Sequence, residues 1–307
     1  MKIVITGGAG FIGSNTVDKL IGLGHKVVII DNLVTGRKEN INHDAVFYHT
    51  DIRDDSIKDI FLKEKPEVVI HDAAQISVRI SVEDPRQDAD INICGSLNII
   101  EAARASQAKK IIFASSGGTV YGEQEYFPAD EKHSLNPVSP YGVAKLAVEK
   151  YLYYYWKNFG LEYIALRYGN IYGPRQDPLG EAGVVAIFSK QILDGRDPIV
   201  NGDGKQTRDY VYVGDVVEAN IKALDNDFVG GLNIGTGIES DVLSLFKILK
   251  QISGTDVEKV HGPAKKGEQR RSVLSYNKAR QVLGWEPTVS LKQGLEKTYN
   301  WFKQRKP

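Results

Sequence analysis

Apolar positions in the first half of the chain follow two alternating patterns. Short, nearly continuous apolar runs are typical of strands buried on both faces of a sheet. Between these runs, apolar residues recur at helical spacing. This alternation predicts an α/β fold in which helices cover both faces of a parallel sheet. Strands are predicted at Lys2–Thr6, Val27–Ile30, Val46–His49, Glu67–His71, Lys110–Ala114 and Tyr163–Arg167, and helices at Phe11–Leu23, Ser56–Lys63, Asp90–Ala105 and Tyr141–Asn158.

The pattern changes near Tyr168, where the chain becomes irregular and richer in Gly and Pro. Three later helices are predicted, at Val216–Leu224, Leu243–Ile252 and Leu291–Phe302. We find no internal repeat and no linker that would separate independent domains. The sequence therefore predicts a first domain at 1–167 and a smaller C-terminal α/β lobe at 168–307. Segments near 207–237 are expected to return to the first domain.

Composition excludes several classes of partner. The 307 residues are 42% hydrophobic, and 39 basic side chains balance 39 acidic ones, so no charge excess favours nucleic acid or an anionic membrane. The single cysteine, Cys94, cannot form an internal disulfide, as expected in a reducing compartment. The six histidines have no metal-ligand spacing. With neither a leader-like N-terminus nor a membrane-spanning apolar run, we expect a cytoplasmic protein without metal, membrane or nucleic-acid partners.

A glycine-rich turn links the first predicted strand to the first predicted helix. Residues 6–14 read TGGAGFIGS, in which Gly8, Gly10 and Gly13 fit the pattern G-x-G-x-x-G. Glycines there permit a tight turn and let backbone N–H groups approach a pyrophosphate at the positive end of the helix. Inside a β-α-β pattern this motif predicts a dinucleotide site, and hence a Rossmann-type doubly wound parallel sheet.

An acid closes the second predicted strand. Asp31 follows Gly13 by 18 residues, where a carboxylate can accept hydrogen bonds from the adenosine ribose hydroxyls. A carboxylate at that point repels a 2′-phosphate, so the sequence favours NAD over NADP. Arg37 nearby could pair with such a phosphate, which leaves NADP as a weaker alternative.

A tyrosine and a lysine are spaced for one face of a helix. The stretch SPYGVAKLA, residues 139–147, offers Ser139 as a helix cap and Pro140 as a first helical residue. Tyr141 and Lys145 then lie one turn apart. A phenol is a poor base at neutral pH, but a nearby cation stabilises the phenolate and lowers its pKa. Beside a nucleotide loop, this pair is interpreted as a proton-transfer device rather than as a surface pair.

Several motifs together resemble the extended short-chain dehydrogenase/reductase family. They are the glycine turn, DNL at Asp31–Leu33, HDAAQ at His71–Gln75 and Tyr141-x-x-x-Lys145. Later stretches resemble its UDP-sugar 4-epimerase branch: LRYGNIYGPRQ at Leu166–Gln176, TRDYVYVGDV at Thr207–Val216 and LNIGTG at Leu232–Gly237. The likeness covers nearly the whole chain. It implies bound NAD, a UDP-sugar substrate and epimerisation through a 4-keto intermediate, in which Tyr141 removes and returns the proton.

The resemblance also implies contact residues. Asn170 and Arg208 would hold the UDP diphosphate, because forked arginine donors match phosphate oxygens. Contacts to the cofactor are expected from Gly7, Gly8, Gly10, Phe11, Ile12, Gly13, Asp31, Asn32, Asp51, Ile52, Ala73, Ala74, Gln75, Asn92, Tyr141, Lys145 and Tyr168.

A third catalytic group should hold the reacting hydroxyl, and SSGGTVYG at Ser115–Gly122 is the candidate stretch. Many relatives carry a serine or threonine three residues before Val-Tyr-Gly, but that position here is Gly117. The neighbouring hydroxyl belongs to Ser116, which is the preferred choice, and Ser115 is the alternative. Because the usual position of the hydroxyl is a glycine here, the sequence does not define the geometry of the hydrogen bond between Ser116 and the sugar.

The same stretch bears on the reaction. Related dehydratases follow the hydroxyl with an Asp-Glu pair, and related decarboxylases carry a glutamate there. Gly117 and Gly118 supply no titratable group, so epimerisation is favoured over elimination. The alternatives are another nucleotide-sugar enzyme of this family (a UDP-uronate epimerase, decarboxylase or dehydratase) or a non-catalytic NAD-binding protein of the same fold.

Two further expectations concern substrate size and assembly. By similarity, Ser272 falls where a bulky residue blocks an N-acetyl group in some epimerases, so UDP-GlcNAc and UDP-GalNAc are expected substrates beside UDP-Glc and UDP-Gal. The run YLYYYW at Tyr151–Trp156 places aromatics all round one helix, as in helices buried on both sides. Because relatives pair through this helix, a homodimer is expected.

Overall fold

A seven-stranded parallel sheet forms the centre of the protein. The computed structural model describes residues 1–178, 183–264 and 269–305. The strand order is β10-β6-β5-β4-β1-β2-β3, and all neighbouring strands are parallel. This is the doubly wound order in which the chain starts centrally and builds outward in both directions. The strands are β1 (Lys2–Thr6), β2 (Lys26–Asp31), β3 (Val46–His49), β4 (Val68–His71), β5 (Lys110–Ser116), β6 (Glu162–Tyr168) and, after three strands that belong to two smaller sheets, β10 (Gly230–Ile234). The expected Rossmann-type fold is confirmed.

Two helical layers cover this sheet because its strands are apolar on both faces. Ile3 and Ile5 of β1 pack into one buried cluster, whereas Val4 packs into the other. The first layer consists of α1 (Phe11–Gly22), α8 (Val213–Leu224) and α10 (Asn277–Leu283). The second layer consists of α2 (Ser56–Glu64), α5 (Ser96–Ala105) and α6 (Pro140–Phe159).

A smaller lobe with its own apolar core stands beside the large sheet. Its core joins side chains from three helices to those of short strands, with Phe188 and Leu245 buried at its centre. One small sheet has the order β11-β9-β7, and β12 pairs with β8. The elements are β7 (Asn170–Tyr172), α7 (Val184–Leu193), β8 (Ile199–Asn201), β9 (Thr207–Tyr212), β11 (Glu239–Asp241), α9 (Val242–Ser253), β12 (Val260–Gly262) and α11 (Leu291–Gln304).

The helix predicted at Asp90–Ala105 is interrupted. A π-helical turn occupies Asp90–Gly95, and regular α5 begins at Ser96. Gly95 lies close to Ile52, because a Cβ on this glycine would come within 2.7 Å of the Ile52 side chain. Two short helices that the sequence did not predict precede this turn, α3 (Val78–Glu83) and α4 (Pro85–Ala89). Both are too short to show a helical period in the sequence.

Helix α6 begins and ends as its sequence dictates. The Ser139 hydroxyl accepts a hydrogen bond from the Gly142 N–H at 3.2 Å, and Pro140 is the first helical residue. The helix ends at Gly160, whose φ of 72° favours glycine. Leu152 is buried, whereas Tyr154 on another side is 49% exposed. Within one chain, therefore, the aromatic helix is covered on one side only. No helix in the three described ranges has the length and apolar character that crossing a bilayer requires.

Candidate active site

The glycine turn forms a tight cradle at the carboxyl end of β1. Gly7 has a φ of 73°, and a Cβ there would lie 2.8 Å from the Ala73 nitrogen. A Cβ on Gly13 would overlap the Gly7 carbonyl oxygen. Gly10 caps α1 without any side-chain hydrogen bond, so the N–H groups of Phe11 and Ile12 are not capped by a side chain. Uncapped N–H groups at a helix start attract anions.

Asp31 ends β2 beside this cradle. Its carboxylate is buried and accepts hydrogen bonds from the Ala9 N–H at 3.0 Å and the Leu33 N–H at 2.8 Å. Each oxygen keeps a further lone pair for a ligand hydroxyl. The Arg37 guanidinium, which could have favoured a 2′-phosphate, lies 3.2 Å from the Asp177 carboxylate. The geometry around Asp31 therefore suits an unphosphorylated ribose.

A cluster of polar side chains follows β2 and includes Asn32, Asp51 and Arg53. The Asn32 amide donates to the Asp51 carboxylate at 2.8 Å, and Arg53 binds the same carboxylate at 2.9 Å. The Arg53 hydrogen bond, which outweighs desolvation, holds the pKa of Asp51 well below its usual range. Ile52 is buried next to it. Asn32, Asp51 and Ile52, all expected to contact the cofactor, thus lie together.

The segment after β4 is fixed by a chain of buried hydrogen bonds. The Ser96 hydroxyl donates to the Asn92 carbonyl at 2.6 Å, so it accepts from His71 Nε2 at 2.9 Å. His71 Nδ1 then accepts from the Thr6 hydroxyl at 2.6 Å. Burial, with a smaller effect of Lys145, lowers the pKa of His71 to about 3, so the ring is neutral. His71 is therefore structural here.

The same chain positions the residues expected to line the cofactor. Thr6 accepts a hydrogen bond from the Ala73 N–H at 3.2 Å. The Asn92 side chain accepts from the Gln75 N–H and donates to the Gln75 carbonyl, both at 2.9 Å. Ala74 lies between these anchored residues. The segment 73–75 is thus held in one conformation before any ligand binds.

Tyr141 and Lys145 lie on one face of α6, as predicted. The Lys145 ammonium is 5.7 Å from the centroid of the Tyr141 ring and 4.8 Å from that of Phe113. Lys145 is 3% exposed and makes no hydrogen bond to another described residue. Burial lowers the pKa of Lys145 to about 8, while Asp72 and Asp88 oppose this shift. A buried ammonium with no bound acceptor is available to a ligand.

The Tyr141 phenol does not show the lowered pKa that the sequence argument expects from Lys145. Burial, and to a lesser extent the Asp88 carboxylate, raises the pKa of Tyr141 well above its usual value. Burial disfavours the phenolate more than a single cation in contact with the ring compensates. Burial therefore favours the protonated phenol of Tyr141 at neutral pH, and additional positive charge beside the phenol would favour the phenolate.

The end of β5 distinguishes the two candidate serines. The Ser115 hydroxyl donates to Glu149 at 2.6 Å and is buried against α6. The Ser116 hydroxyl forms no hydrogen bond with another described side chain. It lies near Asn170, since a Cβ on Gly118 would be 4.0 Å from Ser116 Oγ and 3.9 Å from Asn170 Oδ1. Ser116 is thus the hydroxyl that remains available to a ligand.

The structure gives a physical reason for the glycine three residues before Val-Tyr-Gly. A Cβ on Gly117 would overlap the Leu274 side chain and would lie 3.1 Å from the Arg167 carbonyl oxygen. Leu274 is fully buried and comes from the C-terminal part of the chain, which pairs with Ala129. A hydroxyl-bearing side chain at 117 would therefore displace Leu274.

The remaining predicted contact residues lie on four segments of the chain. Asn170 begins β7, and its register partner in β9 is Tyr210, two residues after Arg208. The Arg208 guanidinium donates to the Thr207 carbonyl at 2.8 Å. Ser272 is buried two residues before Leu274. Tyr168 at the end of β6 is buried, and its hydroxyl accepts from Asn220 at 2.9 Å.

Three buried acids in this region were not predicted from the sequence. Asp209 accepts from the N–H groups of Thr236 and Leu274 and so ties β9 to the segment that covers Gly117. Asp72 and Asp88 both interact with Lys145. In the sequence, these acids could be noticed only as charged residues inside or beside apolar runs, as Asp72 is in HDAA at residues 71–74. Within the described ranges, no cluster of three or more His, Cys, Asp or Glu side chains could hold a metal.

These features together fit a dinucleotide. The cradle has no room for side chains at Gly7 or Gly13, α1 starts without a side-chain cap, and Asp31 offers acceptors beyond the turn. The strand order reverses between β1 and β4, which is where ligands of such sheets bind. An anionic pyrophosphate fits the glycine turn and the uncapped start of α1, and a ribose hydroxyl can donate to Asp31.

Comparisons with known proteins agree with this geometry. The family model described as "NAD dependent epimerase/dehydratase family" matches residues 3–235. A Methanocaldococcus jannaschii protein named "Putative UDP-glucose 4-epimerase" is 51% identical over 303 residues, covering 98% of each chain. The structure of a Thermotoga maritima UDP-glucose 4-epimerase with UDP-glucose is 50% identical, with a TM-score of 0.97 and 99% of each chain covered. That of a Thermus thermophilus UDP-glucose 4-epimerase with NAD is 42% identical, with a TM-score of 0.95, covering 99% of this chain and 100% of that one. With its glycine cradle, its Tyr141/Lys145 pair and these full-length relatives, the chain belongs to the NAD dependent epimerase/dehydratase family.

Proposed function

We propose that this protein is an NAD-dependent UDP-hexose 4-epimerase, an isomerase that interconverts UDP-glucose and UDP-galactose. The observation that carries the proposal is a buried Tyr141/Lys145 pair on one helix face in a chain that also has a glycine cradle and is about half identical to proteins whose names include UDP-glucose 4-epimerase. A non-catalytic NAD-binding protein would have no use for a buried tyrosine and lysine paired in this way.

The residues proposed to hold NAD fall into two groups along the sheet edge. The glycine turn binds the pyrophosphate, Asp31 the adenosine ribose, and Asp51 and Ile52 the adenine. Residues 73–75, Lys145 and Tyr168 hold the nicotinamide half. NAD, when bound, supplies a reversible hydride acceptor for carbon 4 of the sugar.

Tyr141 is proposed as the base and acid of the reaction. Its phenolate removes the proton from the hydroxyl at carbon 4 and returns it after the sugar has turned over in the site. Burial and, to a lesser extent, the Asp88 carboxylate raise the pKa of Tyr141, so positive charge beside the phenol favours its phenolate. Lys145 supplies one such charge, and the ring of oxidised NAD would supply another. The Ser116 hydroxyl, unlike that of Ser115, forms no hydrogen bond with another described residue, and it is proposed to hold the same sugar hydroxyl.

Asn170 and Arg208 are proposed to bind the diphosphate of the substrate. Asn170 lies near Ser116 across Gly118, so a ligand bound at Ser116 also reaches Asn170. The Arg208 guanidinium carries fixed, forked donors that match phosphate oxygens. This arrangement anchors the nucleotide while leaving the sugar free to expose either face.

Elimination and decarboxylation are disfavoured by the loop after β5. Gly117 and Gly118 bring no titratable group to the sugar. The Leu274 side chain fills the space in which a side chain at 117 would lie. Reactions that expel water or carbon dioxide need an additional acid or base, which epimerisation does not.

The direct test is to incubate the purified protein with UDP-glucose without added NAD and to separate the products. UDP-galactose should accumulate until the two sugars reach equilibrium, because tightly bound cofactor is regenerated in each turnover. Protein that demonstrably contains NAD but forms no UDP-galactose would contradict the proposed reaction.

The substrate range is proposed to include N-acetylated sugars. Ser272 is small and buried, two residues before Leu274, whose side chain packs against Gly117 next to Ser116. With no bulky group at 272, we expect kcat/KM for UDP-GlcNAc within about tenfold of that for UDP-glucose, because a pocket that merely lacks a block discriminates weakly. Assays with UDP-Glc, UDP-Gal, UDP-GlcNAc and UDP-GalNAc measure this, and complete rejection of both N-acetylated sugars would refute it.

Two neighbouring glycines offer a matched test of the substrate pocket. Gly118→Ala adds a methyl group with no atom closer than 3.9 Å, so folding should be unaffected, whereas the methyl intrudes between Ser116 and Asn170. We expect kcat/KM to fall by about tenfold or more. Gly117→Ala should instead lower the free energy of unfolding by about 1–3 kcal/mol, since Leu274 must move. Urea unfolding and steady-state kinetics separate the two; equal unfolding midpoints would contradict the assignment of Gly117.

The exposed side of α6, which carries Tyr151, Tyr153 and Tyr154, is proposed to pack against another copy of the chain. Tyr151, Tyr153 and Tyr154 are 41–50% exposed along this helix, and exposed aromatic patches mark interaction surfaces. We expect a mass of about 68 kDa, twice the 34.0 kDa of the chain, at micromolar concentration. Tyr154→Glu should shift the mass towards the monomer, whereas Ile199→Glu, an equally exposed position in the smaller lobe, should not. Light scattering measures both, and a monomeric wild type would end the proposal.

A cytoplasmic location completes the proposal. Cys94 is free and exposed, and such a thiol persists in a reducing compartment.

A further inference from the structure

Asp72 occupies the point at which the large sheet reverses its strand order. It is the first residue after β4, which pairs with β1 on one side and with β5 on the other. Its N–H donates to the Thr6 carbonyl at 3.1 Å, and its carbonyl carbon is 3.1 Å from where a Cβ on Gly7 would lie. Dinucleotides cross such a sheet at this reversal, with one half on each side. Asp72 therefore stands where the nicotinamide half of a bound cofactor begins.

The Asp72 carboxyl group has no hydrogen-bond partner among the residues that the structure describes. Both of its oxygens are inaccessible to solvent, and neither forms a hydrogen bond with another described residue. Burying a carboxylate without a hydrogen bond or a paired charge is costly, so such groups require an explanation. Burial raises the pKa of Asp72 to about 7, while Lys145 acts in the opposite direction. A positive ligand nearby would favour the ionised form.

Two groups interact electrostatically with Asp72. His71, the last residue of β4, turns towards the second helical layer, where it binds Ser96 of α5. Asp72 follows the end of the strand and interacts with the Lys145 ammonium of α6 and with Tyr168 at the end of β6. Asp88 also interacts with Lys145, but its carboxylate accepts hydrogen bonds from Gln75 and Asn92.

We propose that the Asp72 carboxylate is the counter-charge for the nicotinamide ring of NAD⁺ and that it makes the site prefer oxidised over reduced cofactor. The inference rests on the proposed function, which puts the nicotinamide beside Lys145 and Tyr168. The ring is cationic in NAD⁺ and neutral in NADH, so only the oxidised form gains from a nearby carboxylate. Without Asp72, the cationic ring of NAD⁺ would share a buried site with the Lys145 ammonium. The Asp72 carboxylate offsets the repulsion between these two positive charges.

A competition experiment tests this charge effect without measuring turnover. Purified wild type, Asp72→Asn and Asp72→Leu are equilibrated with equal concentrations of NAD⁺ and NADH until the bound composition is constant. The bound nucleotides are then released and quantified. We expect the bound ratio of NAD⁺ to NADH to fall by about tenfold in both variants, as loss of one favourable charge interaction predicts. The matched control Asp31→Asn removes a carboxylate from the adenosine half and should reduce binding of both forms equally.

Each result has one reading. A tenfold lower ratio in both Asp72 variants, with an unchanged ratio in Asp31→Asn, supports the proposal. An unchanged ratio in both Asp72 variants overturns it, and so does an equal loss of both forms, which would indicate a hydrogen bond to the ribose or the carboxamide. If wild-type protein binds neither nucleotide, the proposed function itself fails. Because Asn is isosteric and Leu removes an unpartnered buried carboxyl, neither variant deletes a hydrogen bond that the fold uses.

Discussion

Replacing Tyr141 with Phe is expected to lower kcat for UDP-sugar epimerisation by about 10³-fold while leaving bound NAD in place. The substitution removes only the phenol oxygen, and the ring keeps its contact with the Lys145 ammonium. Without that oxygen, no described group at this position can take the proton from the sugar hydroxyl. Steady-state assays measure kcat, and the ratio of released NAD to protein measures the cofactor content.

Tyr153→Phe is the matched control for this variant. Tyr153 is half exposed on the same helix, and its loss of a hydroxyl should leave kcat unchanged. The assignment of Tyr141 as the base would be wrong if Tyr141→Phe retained wild-type turnover. A variant that lost NAD together with activity would show instead that Tyr141 acts in cofactor binding.

Removing Arg167 should destabilise the protein more than removing any exposed charge. Its guanidinium binds the Glu149 carboxylate through two bonds, at 2.6 and 3.0 Å, and both side chains are nearly inaccessible. Arg167→Met leaves Glu149 buried without its cation, which costs about 3–5 kcal/mol. The loss should appear as a lower midpoint of urea unfolding followed by circular dichroism.

Two controls accompany the Arg167→Met measurement: removal of an arginine from an exposed ion pair, and a double variant that removes both buried charges. Arg104 and Glu101 form a bridge of similar length at the surface, where Arg104→Met should cost at most about 1 kcal/mol. Glu149→Leu combined with Arg167→Met should recover much of the lost stability, because no unpaired charge remains. If Arg167→Met lost less unfolding free energy than Arg104→Met, the buried Arg167–Glu149 pair would not be important for stability.

The long periodic elements could be predicted from the sequence because their patterns reflect burial on one sheet. Strand β1 has the predicted bounds, Lys2–Thr6, and β3 has the predicted Val46–His49. Helix α6 begins at Pro140 with Ser139 as its cap, as the capping residues predict, and extends one residue beyond each end of the periodic segment Tyr141–Asn158. The strands of the smaller lobe, such as β8 and β12 with three residues each, carry too few positions for a period to appear. Helix α7 lies in the irregular stretch and was also missed.

The candidate site was predictable where a local motif carries it. The glycine turn and the Tyr141/Lys145 pair depend on spacing along one segment, and spacing is visible in a sequence. The preference for Ser116 over Ser115 depends on Glu149 of α6, and the need for glycine at 117 depends on Leu274. Contacts between residues so far apart in the chain have no local signal. The same holds for the raised pKa of Tyr141, which arises from burial.

The return of β10 to the large sheet limits how this chain can be divided. Leu232 and Ile234 of β10 pair with Leu166 and Tyr168 of β6 only after β7, β8 and β9 of the smaller lobe have been built. A fragment ending at Arg167, the last residue of the proposed first domain, would expose an apolar strand edge that attracts other chains. The chain crosses between the large sheet and the smaller lobe five times, because α8 with β10, and later α10, return to the large sheet between elements of that lobe. Chimeras that exchange the smaller lobe with a relative therefore need a junction at each crossing. During synthesis, moreover, the large sheet gains its last strand only when residue 234 has left the ribosome.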